Sequence, residues 1–204
     1  EQHLGKTMLI NHKDQLQLEL AKTADIPNIL KLHRKYQVNT IADVDRADGF
    51  VTTDFTHEQL TRLIEQENGI CVAKIDDQII AYVMAASWSF WEEWPLFSHM
   101  SKELPALTYK NYNLNTSNSY QYGPICIDKT YRGLGIFEKI FYYSLEHMSQ
   151  RYPVMVSFIN KTNKRSFSAH INKLGLDIIN DFHFNNNSYY EVVCLTTKKP
   201  IQGQ

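Results

Sequence analysis

The sequence predicts a three-layer α/β domain built on one mixed, mostly antiparallel sheet of about seven strands. Three observations carry that expectation. Strict two-residue alternation and compact apolar runs mark strands along the chain. Capping residues followed by apolar positions three and four apart mark the helices between them. Polar turns of two or three residues join neighbouring strands as hairpins. The 204 residues suffice for one such domain with its own core.

Residues 15–20 alternate, with Leu16, Leu18 and Leu20 on one face, and read as the first strand. Thr23 can cap a helix in which Ile26, Ile29, Leu30 and His33 fall at helical spacing, with Asp25 in its first turn. Residues 39–54 are polar, contain Gly49 and lack a clear period, so a loop is expected. Thr56-His-Glu-Gln59 has capping-box spacing, and Leu60, Leu63 and Ile64 supply the apolar face of a second helix that stops at Gly69. Residues 70–75, an Asp76-Asp77 turn and residues 78 to about 89 read as a hairpin.

The rhythm breaks over residues 90–119, which hold Trp91, Glu92, Glu93, Trp94, Phe97, Tyr109 and Tyr112 without a sustained period. A long irregular segment inside a compact domain is usually functional or disordered, and its aromatic content argues for order. A strand into a two-glycine turn follows. It opens a helix with Phe137, Ile140, Phe141, Leu145 and Met148 on one face. Residues 154–159 form a compact apolar strand, 163–174 a helix closed by Gly175, and 176–196 a hairpin around Asn185-Asn186-Asn187. One domain is expected over 14–198, with an insertion at 91–118 between the third and fourth strands and an N-terminal extension over 1–13.

The net charge of -1 exerts no global pull toward nucleic acid or an anionic membrane, so attraction for a phosphate must be local. Cys71, Cys126 and Cys194 are odd in number and sit in apolar runs, which suits buried reduced thiols in a cytoplasmic protein. No window approaches the roughly 18 apolar residues of a membrane span. No His/Cys cluster has metal-ligand spacing, no Gly-x-Ser-x-Gly elbow occurs, and no basic aromatic face suggests RNA.

Chemistry concentrates in Tyr122-Gly-Pro-Ile-Cys-Ile-Asp-Lys-Thr-Tyr-Arg132-Gly-Leu-Gly-Ile-Phe137. A strand feeding a glycine loop that opens a helix makes an anion site, because the first-turn N–H groups are unpaired and the helix dipole favours negative charge. Gly133 and Gly135 let backbone approach a ligand that side chains would hold off. The Gly-x-Gly-x-x-Gly dinucleotide spacing is not met, since position 138 is Glu138.

This loop in this order of elements resembles the GNAT superfamily of N-acetyltransferases. The family loop runs Arg or Gln, two residues, Gly, one residue, Gly or Ala; Arg132-Gly-Leu-Gly135-Ile-Phe137 matches its first two fixed positions. Asn163-Lys-Arg-Ser166 resembles the family's Asn-opened helix after the fifth strand, closed here at Gly175. The sequence departs at Phe137, where the family prefers a small residue, and at Ile171, where it often has Tyr; His170 lies one position earlier.

The resemblance implies a three-layer GNAT-like fold and acetyl-CoA as acyl donor, with an amine acceptor, a small molecule or a peptide, attacking directly in a ternary complex without metal. It implies that the amides of Arg132, Gly133, Leu134, Gly135, Ile136 and Phe137 hold the CoA pyrophosphate. A backbone N–H at Ile127, beside Cys126, would face the developing oxyanion. Asn163 would orient the pantetheine arm, although Asn is equally a favoured N-cap, and Ser166 lies one turn on.

His170 and Tyr122 are candidate acids for the departing thiolate, with Tyr120 and Tyr131 as competitors. Glu92, next to Glu93, is the candidate base or cation partner. Trp88, Trp91 and Trp94 either wall an acceptor pocket or form the core of the insertion. A GNAT-like domain that binds acyl-CoA without turnover is the competing expectation, and a homodimer is among the oligomeric states the sequence admits.

Overall fold

A computed structural model of the chain describes residues 15–37, 51 and 53–201. The expected extension over 1–13 and most of the expected loop over 39–54 lie outside the described residues. Strand β1 (Gln17–Leu20) leads through a 3-10 turn at Thr23–Asp25 into helix α1 (Ile26–Tyr36), which buries Ile26, Ile29, Leu30 and His33. Helix α2 (His57–Glu65) opens with the expected capping box: Thr56 Oγ1 accepts from the Gln59 amide at 3.1 Å, and Gln59 Oε1 accepts from the Thr56 amide at 2.9 Å. Strands β2 (Ile70–Ile75) and β3 (Gln78–Ala86) form a hairpin, with Asp76 and Asp77 at φ 52° and 63° in its two-residue turn.

The expected irregular segment over 90–119, together with residues 87–89 expected as the end of a strand, is regular in large part. These residues form helix α3 (Trp88–Trp91), helix α4 (Pro95–Glu103) and a small hairpin of β4 (Thr108–Tyr109) and β5 (Tyr112–Asn113). Ser87 ends β3 early, because its hydroxyl accepts from the Phe90 amide while Glu67 takes both the Ser87 amide and hydroxyl. In α4, Pro95 fits the first turn, and only Phe97 and Met100 are buried, too few positions for a visible period. Trp88 and Trp91 are core residues, at 1% and 0% exposure.

The second half follows the expected order. Strand β6 (Ser119–Ile127) leads through the glycine loop to α5 (Ile136–Ser149), then to β7 (Val154–Asn160). Helix α6 (Lys164–Phe167) continues as a π-helical stretch over Ser168–Lys173 instead of the single regular helix expected. Gly175, at φ 69°, closes it, and β8 (Asp177–Phe184) and β9 (Asn187–Leu195) turn through Asn185 and Asn186, both at positive φ.

The seven-stranded sheet runs β1-β2-β3-β6-β7-β9-β8, and only the β6–β7 pair is parallel. One apolar cluster, with α1, α2 and the α3–α4 segment, covers one face; the other, with α5 and the helix after β7, covers the opposite face. Cys71, Cys126 and Cys194 are all buried and free. Among the described residues no helix is long and apolar enough to cross a membrane.

Candidate functional site

The site is a split in the sheet. β6 pairs with β7 only from Ser119 to Gln121, against Val154 to Val156, and beyond that the two strands part. On its other edge β6 stays paired with β3, but its register slips between Tyr122 and Ile125, so β6 carries an extra residue there. Pro124, with no N–H to give a ladder, occupies that stretch. The carbonyl of Tyr122, beyond the β6–β7 ladder, accepts instead from the side chains of Ser157 (Oγ, 2.6 Å) and Gln121 (Nε2, 2.7 Å). The Asp128 amide donates to the Ile80 carbonyl, and antiparallel bonds alternate, so the N–H groups of Ile127 and Ile125 point away from β3, toward the split.

After β6, Asp128 Oδ1 accepts from the Thr130 amide and starts a 3-10 turn, and Gly133 and Gly135 adopt φ of 82° and 78°. Gly135 is the N-cap of α5, so the amides of the first turn open onto the cleft beside it. Arg132 Nε donates to the Ile127 carbonyl at 3.1 Å, and its guanidinium lies 5.2 Å from the centre of the Tyr36 ring. The cleft measures about 650 Å³, and among the described residues Arg132, Lys164, Arg165, Lys173 and the carboxylate of Glu138 line it.

A second cavity of about 70 Å³ occupies the apex of the split, between Tyr122–Ile125 and Ser157–Asn160, with Val51 and Thr53 on a third side. The two cavities share Val51, Ile125, Asn163, Ser166 and His170. At their junction His170 Nδ1 donates to the Ser166 carbonyl at 2.8 Å, which leaves Nε2 as acceptor for the Tyr122 hydroxyl at 3.2 Å. Burial pushes the His170 imidazole down to about 4, against a weaker opposing effect of the Ser166 carbonyl, so at neutral pH the ring is uncharged. Burial likewise holds the Tyr122 phenol well above its usual value. Phe137 meets the His170 ring edge-on, with centroids 5.3 Å apart.

Of the residues singled out by sequence, Cys126, Ile127, Arg132, Gly133, Gly135, Ile136, Phe137, Asn163, Ser166 and His170 all line the larger cleft. Leu134 contributes backbone to the loop while its side chain packs on the core. Tyr122 lines the smaller cavity. Asn163 does cap α6, accepting from the Ser166 amide at 3.2 Å, and is only 8% exposed. Cys126 turns its thiol into the α1 side of the core, where burial pushes it up to about 12.

Glu92 is not brought to the site: it is exposed at the end of α3 and lines neither cavity, while its neighbour Glu93 pairs with Arg62 at 2.6 Å. Sequence reasoning passed over Lys164, Arg165 and Lys173, although two of them directly follow Asn163. It also passed over Ser157, whose signal was a lone hydroxyl in an apolar strand.

Solved structures share this architecture end to end. The Salmonella typhimurium protein yncA, solved with its cofactor acetyl-CoA, superposes with a TM-score of 0.60 at 11% identity, over 92% of this chain and 99% of that one. An acetyltransferase of the GNAT family from Streptococcus pneumoniae gives 0.57 at 13% identity, over 88% and 98%. The chain has the GNAT fold. The ribosomal-protein-S18-alanine N-acetyltransferase from Escherichia coli, at 7% identity and a TM-score of 0.57 over 92% and 97%, has the GNAT fold in common with it. No protein-family model and no curated protein matches the sequence.

Proposed function

We propose that the protein is an N-acyltransferase that moves an acetyl group from acetyl-CoA to a primary amine by direct attack in a ternary complex. One observation carries this reading: the cation-lined cleft at the α5 N-terminus opens into the small apex cavity at the Tyr122–His170 pair. A donor needs an anion site for its pyrophosphate, and the loop amides from Arg132 to Phe137 with the nearby cations supply one. Its pantetheine arm needs strand-like partners, and the outward N–H groups of Ile125 and Ile127 lie along the split. The same groups stand where a thioester oxygen gaining negative charge would be stabilised.

Tyr122 gives its hydroxyl proton to the departing thiolate, and to do so it releases the bond to His170 Nε2 that holds the hydroxyl at rest. His170 acts in this way because its Nε2 carries a lone pair, with its one proton committed to the Ser166 carbonyl. The proton lost by the attacking amine restores the phenol. Amine and thioester held side by side require no covalent intermediate. Cys126, whose thiol turns away from the cleft into the core, is held protonated by burial and is no nucleophile there.

The depth of the pair favours a second reading, an acyl-CoA-binding module without turnover, since Tyr122 and His170 are 2% and 5% exposed and Phe137 covers the ring. Free-thiol release from acetyl-CoA across a panel of primary amines separates the two. Amine-dependent release is expected. Thermal stabilisation by CoA with no release from any amine leaves the binding module, and no stabilisation by CoA removes both.

A further inference from the structure

The apex cavity has three walls, and the α3–α4 segment braces each from behind. Trp94 Nε1 donates to the Asp54 carbonyl at 3.2 Å, and Phe55 packs between Trp91 and Trp94 with ring centroids at 6.0 and 5.5 Å, which holds the backbone that presents Thr53. Trp91 Nε1 donates at 3.3 Å to the carbonyl of Gln121, the residue before Tyr122 on the β6 wall. Phe97 packs on Phe158 of the β7 wall at 5.5 Å and on Trp91 at 4.7 Å. Trp91 and Phe97 are 0% and 2% exposed, so the brace is itself close-packed, and a close-packed layer resists retreat.

We propose that this aromatic layer fixes the width of the acceptor cavity, and that the acceptor is a primary amine carried on an unbranched methylene carbon. The inference rests on the acyl-transfer reading and names the substrate class of that site. A cavity of about 70 Å³ holds roughly two water-sized volumes, enough for an aminomethyl group beside the acyl carbon. A branch at the amine-bearing carbon adds a methyl that presses on the cavity walls, of which Phe158 and Thr53 are held from behind. One methyl in such a pocket is worth roughly ten- to two-hundredfold in discrimination. Trp91, Trp94 and Phe97 are thus positioning residues, acting through Thr53, Gln121 and Phe158.

The test compares n-butylamine with sec-butylamine, equal in composition and different only in branching, by thiol release from acetyl-CoA. Wild type is expected to favour n-butylamine by at least about tenfold in kcat/KM. In Phe97→Ala, Phe158 gains room, and the ratio should fall below about threefold while the thermal shift produced by CoA is unchanged. A wild-type ratio near one, or a folded Phe97→Ala that keeps the wild-type ratio, overturns the inference. If Phe97→Ala does not fold, Phe158→Leu trims the wall directly, and an unchanged ratio there overturns it equally. No thiol release from wild type with either butylamine overturns this inference, whereas acyl transfer falls only if the wider panel of primary amines gives none as well. Turnover without discrimination sinks this inference alone.

Discussion

The two sides of the split are built by opposite means. The donor side is backbone: two glycines at positive φ, the first turn of α5, outward N–H groups on β6, and cations at the rim. The proposed acceptor side is side chain: a tryptophan and phenylalanine layer of the α3–α4 segment that holds Thr53, Gln121 and Phe158 through indole N–H bonds and ring contacts. Backbone sites need particular residues at fixed spacing, whereas packed walls accept many solutions of similar volume. The first therefore leaves a motif and the second does not.

The largest expected effect is on the donor side. Gly135→Asp sets a carboxylate at the N-cap where the loop turns left-handed, and CoA affinity by calorimetry should fall by about a hundredfold or more, with acceptor discrimination unaltered in any residual activity. Tyr122→Phe attacks the junction of the two sides. It removes the hydroxyl and leaves His170 Nε2 buried without a donor, so kcat should fall about ten- to hundredfold with CoA affinity intact, and stability should drop by about 1–3 kcal/mol.

Each side also holds a buried titrating group, and His170 and Glu191 oppose each other; His33, buried on α1 and likewise pushed down by burial, adds to the acid limb. His170 has its imidazole pushed down to about 4, so its stabilisation is fully present above 6.5 and is lost as pH falls from there toward 4. Glu191, on β9 beneath the α4 side, is 1% exposed, with Oε2 unpaired, Oε1 accepting from Asn180, and the Glu103 charge nearby. Burial raises its carboxyl to about 7, so its stabilisation is present below 4.5 and is lost as pH rises through 7. Each swing amounts to roughly 3 kcal/mol. Urea midpoints between pH 4 and 8 should show Glu191→Gln flattening the alkaline limb and His170→Gln flattening the acid limb. If either replacement flattens the other limb, the groups are misassigned.

The smallest effect marks the outer limit of the acceptor side. Glu92→Gln should change turnover by less than about twofold, because Glu92 faces solvent outside both cavities. A tenfold loss would extend the site to the end of α3.

How much of this was legible follows the same division. The capping box at Thr56, the Asp76-Asp77 turn and the glycine turn of Arg132–Phe137 that opens a helix are local, each set by a few neighbouring residues, and each stands in the structure as the sequence predicted. The helices of 87–118 were not legible, because a four-residue α3 and an α4 with two buried positions are too short to display a period. Nor was the Tyr122–His170 bond, which spans 48 residues and depends on the π-helical stretch that carries His170. Glu92 was singled out because it stands where the third strand gives way to the insertion, near where the resembling family places its acceptor, but at the end of α3 it faces solvent.

The central claim is that donor and acceptor meet at the split without an acylated enzyme between them. Initial velocities measured over a grid of acetyl-CoA and n-butylamine concentrations test it most directly. Double-reciprocal lines that intersect are predicted, together with an intact mass unchanged after incubation with acetyl-CoA alone. Parallel lines with an acetylated protein would contradict it.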